Sequence, residues 1–367
     1  MLFINGRFVS QRITGVQRYA IEMTKALIAS GASPRVLLST KAQLPEWLPE
    51  ELCERIPSFG KSGMADYICY WLIAPILLVW RYRDHSYHVW SPCNVGSPLF
   101  KNHFVTIHDL AIRENYKWFS PAFVLFYRVC FCWYSLIRNP VATVSKFSAA
   151  EIVRYYPSLV RRVFLTPNGI NIGGLTQPVK PPELLNLRPY ILCVASKDPR
   201  KNTDFIIRSW LNSDLGFLGN IVFVGGNNSI FFNPHKKNES SVQSVIDLGY
   251  VSEANLEWLY LNCRAVVQAS SYEGYGLPVT EALMRGGMVI CSDIPAFREV
   301  AGNAAKYFKL FNENDLIDSM NLAFQLDYVP QCVVKYYYWN DLAILFSNSI
   351  NTFSPLSNFG DEEVIIK

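Results

Sequence analysis

The sequence predicts an α/β protein made of two doubly wound parallel-sheet domains, and three observations carry that expectation. Short apolar runs at 2–4, 35–38, 87–90, 104–107 and 141–144 alternate with stretches of helical character, and the scheme starts again with 190–195, 221–225, 265–269 and 288–291. Strand and helix in alternation is the pattern of parallel sheets joined by crossover helices. At 367 residues the chain exceeds the length over which a single hydrophobic core keeps growing. Between the two runs, residues 173–189 contain four prolines and two adjacent glycines, the composition of a linker.

Composition narrows the class of protein. With 50% hydrophobic and 14% aromatic residues the chain can bury enough apolar surface to fold, and disorder is expected only in the polar, turn-rich tail at 354–367. The net charge of +4 is modest and no block of consecutive Lys or Arg resembles a nucleic-acid-binding arm, which favours a solvated surface. Nine cysteines at irregular positions make neither a CxxC pair nor a disulfide framework, which fits a reducing compartment. The first residues run straight into an apolar strand without a basic n-region and a long h-region, so a cytoplasmic protein is expected.

Two apolar segments invite closer reading. Residues 67–80 include Pro75 and are too short for the roughly 20 residues a membrane-spanning helix requires. Residues 122–137 are interrupted by Arg128. Both fit core helices, and both fit helices lying on the cytoplasmic face of a membrane, aided by Arg81, Arg83, Arg128 and Arg138 at their edges.

The most informative stretch is 270–287, SSYEGYGLPVTEALMRGG, directly after the apolar run 265–269. It reads as strand, loop and helix. Pro278 suits the first helical turn, where its missing N–H is no loss, and Gly286 with Gly287 supplies a stop. Gly274 and Gly276 let the backbone approach a ligand closely at the positive end of the helix, where amide dipoles can hold a diphosphate without a metal. Glu281 is expected in the first helical turn, with Glu273 eight residues earlier on the loop. Two acceptors flanking an anion site suit a polyhydroxylated ligand. From the residues alone, Glu281 as a simple partner of the helix dipole and Glu273 as a loop charge remain equally open.

These residues resemble a known family. Glu273 and Glu281 fit the E-x7-E pattern of retaining GT-B glycosyltransferases, and EGYGLPVTEAL followed by GGMVICSDIPAFREVAGNAA is similar to the donor-site signature of glycosyltransferase family 4, the group 1 enzymes that build bacterial cell-surface polysaccharides. Further pieces fall in the family's order: Thr14-Gly15-Val16-Gln17-Arg18-Tyr19, Ile107-His108-Asp109-Leu110, Val144-Ser145, Pro167-Asn168-Gly169-Ile170, Arg200-Lys201-Asn202 and Leu248-Gly249-Tyr250. The resemblance spans roughly residues 1–345.

It implies a GT-B fold, two Rossmann-like domains facing across a cleft. Residues 1–172 would form the acceptor domain, 190–338 the nucleotide-sugar donor domain, and a terminal helix around 339–353 would cross back to the first. Lys201, with Arg200 beside it, would neutralise the leaving diphosphate; both residues also fit a solvated loop-to-helix junction. Glu281 would bind the donor ribose and Glu273 would orient the sugar near the reacting carbon. The backbone of Gly274, Tyr275, Gly276 and Leu277 would meet phosphate and sugar, with Gly15, Asp109, Gly249 and Tyr250 completing the donor site. His108 would face the donor sugar from the edge of strand 104–107, although a lone histidine is also a common structural residue whose tautomer Asp109 could fix. Many family members carry an arginine five residues before the lysine, where this chain has Ser196; Arg200 or Lys197 would compensate.

No D-x-D occurs in the sequence, so neither a metal nor another cofactor is expected. The implied reaction moves a hexose, of the mannose, glucose or deoxyhexose type, from a nucleotide-diphosphate sugar to a hydroxyl of a growing lipid-linked, O-antigen-like glycan with retention of configuration. The competing readings are a nucleotide-sugar epimerase or a phosphorylase of the same fold, and a non-catalytic sugar-nucleotide-binding protein.

Overall fold

The computed structural model describes residues 1–58, 67–169, 177–184, 188–196, 198–226, 243–326 and 337–351. Lys197, Ile170, the tail at 354–367 and parts of the linker at 173–189 lie outside them. The chain divides into two compact units, Met1–Ile170 with Tyr337–Lys367, and Asn171–Tyr336.

The first unit is a seven-stranded, wholly parallel sheet in the order β3-β2-β1-β4-β5-β6-β7. Its strands are β1 (Leu2–Asn5), β2 (Arg35–Ser39), β3 (Cys53–Ile56), β4 (His88–Ser91), β5 (His103–Thr106), β6 (Val141–Thr143) and β7 (Val163–Leu165). Its helices are α1 (Gly15–Ala29), α2 (Ala74–Arg81), α3 (Ala111–Glu114), α4 (Pro121–Leu136) and α5 (Lys146–Tyr155). The period-two alternation of each strand sorts its side chains between two covers. Phe3, Val89, Val105 and Ile107 face the side packed by α2 and α4. Trp90, Phe104 and Phe164 face the other, where Phe346 of α12 (Trp339–Asn351) meets their rings at 4.7, 5.5 and 6.5 Å. Trp90 is fully buried, and its indole N–H is satisfied by Thr106 Oγ1 at 2.9 Å.

The second unit repeats the winding with six parallel strands in the order β10-β9-β8-β11-β12-β13. They are β8 (Tyr190–Val194), β9 (Asn220–Val224), β10 (Val245–Asp247), β11 (Ala265–Gln268), β12 (Val289–Ser292) and β13 (Lys306–Phe308). Helices α6 (Thr203–Leu211), α7 (Leu215–Leu218), α8 (Glu253–Asn262), α9 (Leu277–Met284), α10 (Pro295–Ala301) and α11 (Glu313–Gln325) belong to it. Two apolar layers, one against each face, hold Ile191, Phe223 and Val267 on one side and Leu192, Val222 and Val266 on the other. Strands buried on both faces explain why β8 and β11 read as continuous apolar runs. The first strand of the unit, β8, lies beside β11, so the winding reverses between them.

The structure adds four strands to those read from the sequence: β3, β7, β10 and β13. These are the four edges of the two sheets. Each has three or four residues; β3, β7 and β13 mix buried with exposed positions and β10 has no buried one, so none shows the apolar run that marks an interior strand. Glu281 also differs from its expected place. Helix α9 begins at Leu277 after an N-cap at Gly276, which puts Glu281 fifth, at the start of the second turn; there is no acidic residue in the first. The apolar segment 67–80 is helical but not uniform: Cys69–Ile73 forms a π-helical turn, with the Ala74 N–H donating to the Cys69 carbonyl, before α2 starts. Pro75, lacking an N–H, sits in the first turn of α2, and the wider π-helical turn lies directly ahead of it.

Candidate functional site

In the second unit the candidate residues gather on loops at the carboxyl ends of β8 and β11, where the winding reverses. After β8, residues 199–201 form a short 3-10 turn whose N-cap, Asp198, accepts from the Arg200 N–H at 3.0 Å. Asn202 follows with φ +47°, and its side-chain amide donates to the carbonyls of Arg200 (3.1 Å) and Ala269 (2.8 Å). The Ser271 N–H donates back to the Arg200 carbonyl at 2.8 Å. The lysine-bearing turn is thereby tied to the end of β11.

That tie brings Lys201 to Glu273. The ammonium donates to Glu273 Oε1, which also accepts from Ser270 Oγ at 2.7 Å. Both side chains are mostly buried, so the pair retains much of its Coulomb attraction and neither charge is well served by water. Arg200 turns elsewhere. Its Nε and Nη2 donate to Asp198 Oδ2 at 2.8 and 2.6 Å. Burial alone would raise the Asp198 carboxyl, but the hydrogen bonds and charge of Arg200, with Lys201 adding to them, hold it below the usual carboxylate value. Ser196, on the same loop, is exposed.

Eight residues beyond Glu273, Glu281 Oε2 accepts from the Tyr260 hydroxyl at 2.7 Å, and its carbonyl accepts from Arg285 Nη1 at 2.6 Å. Arg285 is in turn held by Glu257 through Nε at 3.0 Å and stands over the Tyr260 ring. Between the two carboxylates lies the turn Gly274-Tyr275-Gly276-Leu277. Gly276 has φ +103°, a left-handed conformation that costs a residue with a side chain. A Cβ there would also stand 2.8 Å from the Phe297 ring. The turn delivers the chain into α9 so that the amides of Gly276 and Leu277 come at the positive helix end, while Val279 and Thr280 donate to the Gly276 carbonyl. Gly249 follows β10 with φ +60°; its carbonyl accepts from the Gly225 N–H at 2.8 Å, joining the ends of β9 and β10. Tyr250 beside it is half exposed, its hydroxyl facing Gly226.

The remaining candidates belong to the first unit. Gly15 is exposed at the start of α1, where the Thr14 N–H donates to Gln17 Oε1 at 3.2 Å. His108 is buried after β5. Its Nε2 lies 2.8 Å from the Pro92 carbonyl, which can only accept, so that nitrogen carries the proton. Desolvation lowers its pKa to about 4, against the raising influence of Pro92 and Asp109, so the ring is neutral at pH 7. The Pro92 carbonyl thereby fixes the tautomer, and Asp109 Oδ1 accepts from the Ala111 N–H at 3.0 Å at the start of α3. Among the described residues no three His, Cys, Asp or Glu side chains cluster as a metal-ligand set.

Several residues with a part in these sites were not singled out from the sequence. Asp198, Ser270, Tyr260 and Arg285 act through pairings that only the fold creates, with Asp198 beside Arg200 the one local signal; Asn202, named in the motif Arg200-Lys201-Asn202, gains its part from its bond to the Ala269 carbonyl. In the first unit, Asn5, Arg7, Gln11, Ser91 and Cys93 line a pocket at the carboxyl ends of β1 and β4, the reversal point of that sheet. The Arg7 Nε is buried there without a hydrogen-bond partner, its guanidinium 3.5 Å above the Tyr67 ring.

Residues 180–327, which include Lys201, Glu273, Gly276 and Glu281, match the family described as glycosyl transferases group 1. The chain carries a group 1 glycosyltransferase domain. Curated relatives match over stretches longer than that domain. O-antigen chain mannosyltransferase B of Escherichia coli is 24% identical over 321 residues, covering 80% of this chain and 82% of the relative. O-antigen chain mannosyltransferase RfbU of Salmonella typhimurium is 28% identical over 224 residues, 57% of each chain. Among solved structures, WaaG, a glycosyltransferase involved in lipopolysaccharide biosynthesis, superposes with a TM-score of 0.66 at 13% identity, covering 95% of both chains. HepE of Anabaena, solved in complex with UDP, gives 0.67 at 13% identity over 95% of this chain and 99% of that one. At such identities the likeness is one of fold, and that fold is GT-B.

Proposed function

We propose that the group 1 domain binds a nucleotide-diphosphate hexose and that the enzyme transfers the hexose, with retention of configuration and without a metal, to a hydroxyl of a lipid-linked surface glycan. The observation that carries this reading is the meeting of Lys201 and Glu273 beside the left-handed turn that opens α9. A diphosphate entering at that turn meets main-chain donors at a helix N-terminus and the Lys201 ammonium. Charge that builds on the leaving group as the glycosidic bond breaks is stabilised by the same groups, which are already in place.

Glu273, anchored by Ser270, lies on the sugar side of that turn and stabilises positive charge at the anomeric carbon of an oxocarbenium-like transition state. The acceptor hydroxyl attacks the face from which the diphosphate departs. Its proton passes to the departing diphosphate, so no protein nucleophile is required. Glu281, held by Tyr260, reads the donor ribose. Arg200, committed to Asp198, is a positioning residue that fixes the turn bearing Lys201. His108, neutral with its Nε2 proton on Pro92, presents an acceptor nitrogen at Nδ1 for a sugar hydroxyl. The pocket around Arg7 suits a hydroxyl- or phosphate-bearing acceptor. The O-antigen mannosyltransferase relatives make mannose the favoured hexose and an O-antigen-like chain the favoured acceptor.

The test is a screen of nucleotide sugars for thermal stabilisation, followed by identification of the product anomer. A ligand at a hundred times its Kd raises stability by about 2.7 kcal/mol, an easily read shift. The expected result is one nucleotide hexose that stabilises the protein, retains its effect in chelator and yields a product of unchanged anomeric configuration. Stabilisation that survives intact in Lys201→Ala and Glu281→Ala, or an inverted product, would refute the proposal.

A further inference from the structure

The pocket at the carboxyl ends of β1 and β4 is built around a cation that the described residues leave without an anion. Asn5, the last residue of β1, caps the 3-10 turn Gly6–Ser10 by accepting from the Arg7 N–H at 3.3 Å, which fixes where the Arg7 side chain leaves the backbone. The guanidinium lies 3.5 Å above the Tyr67 ring, whose π-face answers part of the charge but offers no lone pair to the N–H groups. The Nε is buried without a hydrogen-bond partner, and among the described residues no carboxylate pairs with Arg7. A buried donor in that state costs stability. No Asp or Glu is among the described residues of the lining, and burial pushes the Cys93 thiol up to about 12, so it too is uncharged.

Other polar groups of the lining also have donors to spare. Asn5 Oδ1 is taken by the Arg7 N–H, so the Asn5 amide nitrogen is the atom that donates to Ser91 Oγ at 3.3 Å. His103 receives the Asn139 amide at Nδ1 (3.3 Å), which puts its own proton on Nε2, and that proton goes to Ser91 Oγ at 2.9 Å. Both lone pairs of the Ser91 hydroxyl are then occupied, and its own proton has no acceptor among the described residues. Gln11 follows the same logic. The Thr14 N–H donates to Gln17 Oε1, so Gln17 Nε2 donates to Gln11 Oε1 at 3.2 Å and the Gln11 amide nitrogen is left as a donor. A cation, a hydroxyl proton and an amide thus line one pocket with their donors unused. A neutral hexose would meet them with hydroxyls, which donate as well as accept; an oxyanion only accepts, and it balances the charge. Pro92 lines the same pocket and accepts from His108 Nε2, so the pocket and the imidazole share a wall.

We propose that this pocket is a subsite for an oxyanion of the acceptor, a phosphate or a carboxylate, held by Arg7, Ser91 and Gln11. The subsite rests on the reading of this pocket as the acceptor's and narrows it: the acceptor carries a charged group that a chain of mannose alone lacks. Two sources have that chemistry, the phosphate of a lipid carrier and the carboxylate of an acidic sugar.

The full chain is titrated in a calorimeter with a short-chain prenyl diphosphate monosaccharide, a methyl hexuronide and the neutral methyl mannoside. A charged probe is expected to bind and the neutral one is not; the diphosphate alone points to the carrier, the hexuronide alone to an acidic sugar. Arg7→Met, which keeps the apolar stem and removes the donors, is expected to weaken that binding about 10- to 100-fold, and Ser91→Ala about fivefold. Arg7→Lys keeps the charge without the planar fork and should retain part of the affinity. Because it removes an unsatisfied buried group, Arg7→Met should melt no lower than the unmodified chain. Binding of neither charged probe, equal binding of methyl mannoside, binding that survives Arg7→Met, or binding lost in Lys201→Ala in place of Arg7→Met would overturn the proposal. If no nucleotide sugar stabilises the protein while a charged probe still binds through Arg7, the proposed transfer reaction fails and the anion site stands.

Discussion

Lys201 and Glu273 stand 72 positions apart in sequence and meet with little water between them. Removing either partner leaves the other charge uncompensated, a loss of about 3 kcal/mol in a buried pair. Lys201→Met or Glu273→Gln alone should therefore lower the melting temperature, while the double variant should recover part of that loss and none of the activity. A double-mutant cycle by urea denaturation reads the coupling. On catalysis, Lys201→Ala is expected to lower kcat by about 10²–10³, as loss of a preorganised donor at a developing charge does. Gly276→Ala carries two penalties, backbone strain of about 1–3 kcal/mol and a clash with the Phe297 ring. Adding Phe297→Leu should relieve the second and not the first, which thermal melts of the single and double variants would show. The charged and glycine positions were legible because the stretch 270–287 concentrates them. Their partners were not. Tyr260 and Ser270 are ordinary residues until the fold sets their hydroxyls against Glu281 and Glu273.

At the scale of elements, legibility followed burial. Interior strands such as β8 and β11 are covered on both faces, so their apolar runs identify them; the edge strands β3, β7, β10 and β13 are half-solvated and short, and no run marks them. The same logic explains the apolar segments 67–80 and 122–137. Composition reports that they are apolar and cannot report that only one side is covered. Helix α12 offers a test at this scale. It packs on α1 within the first unit, with Trp339 nearly buried and its ring 5.7 Å from Tyr19. Trp339→Ala should cost about 3–5 kcal/mol by leaving a cavity. Limited proteolysis should then cut the terminal helix first, and cutting elsewhere would show that the helix is held by other contacts.

For the molecule as a whole, two sheets with the same winding place their reversal points at β1/β4 and β8/β11, and polar residues gather at the carboxyl ends of both. The buried imidazoles of the first unit set an acid limit on its stability. Desolvation lowers His103 to about 3 and His108 to about 4, from 6.5. The unfolded chain protonates these residues before the folded one does, so their contribution is intact above pH 6.5 and is lost as pH falls toward 4. Each costs about 1.4 kcal/mol per pH unit within that window. Urea midpoints measured between pH 7 and pH 5 should fall, and His103→Asn should flatten the decline; an unchanged slope in that variant would mean other groups govern it.

The most direct measurement is a crystal structure with the nucleotide sugar that stabilises the protein best. The diphosphate should lie within about 3 Å of the Gly276 and Leu277 amides and of Lys201 Nζ, with the sugar toward Glu273 and the ribose on Glu281. A donor bound at full occupancy elsewhere, with the turn before Pro278 untouched, would contradict the account.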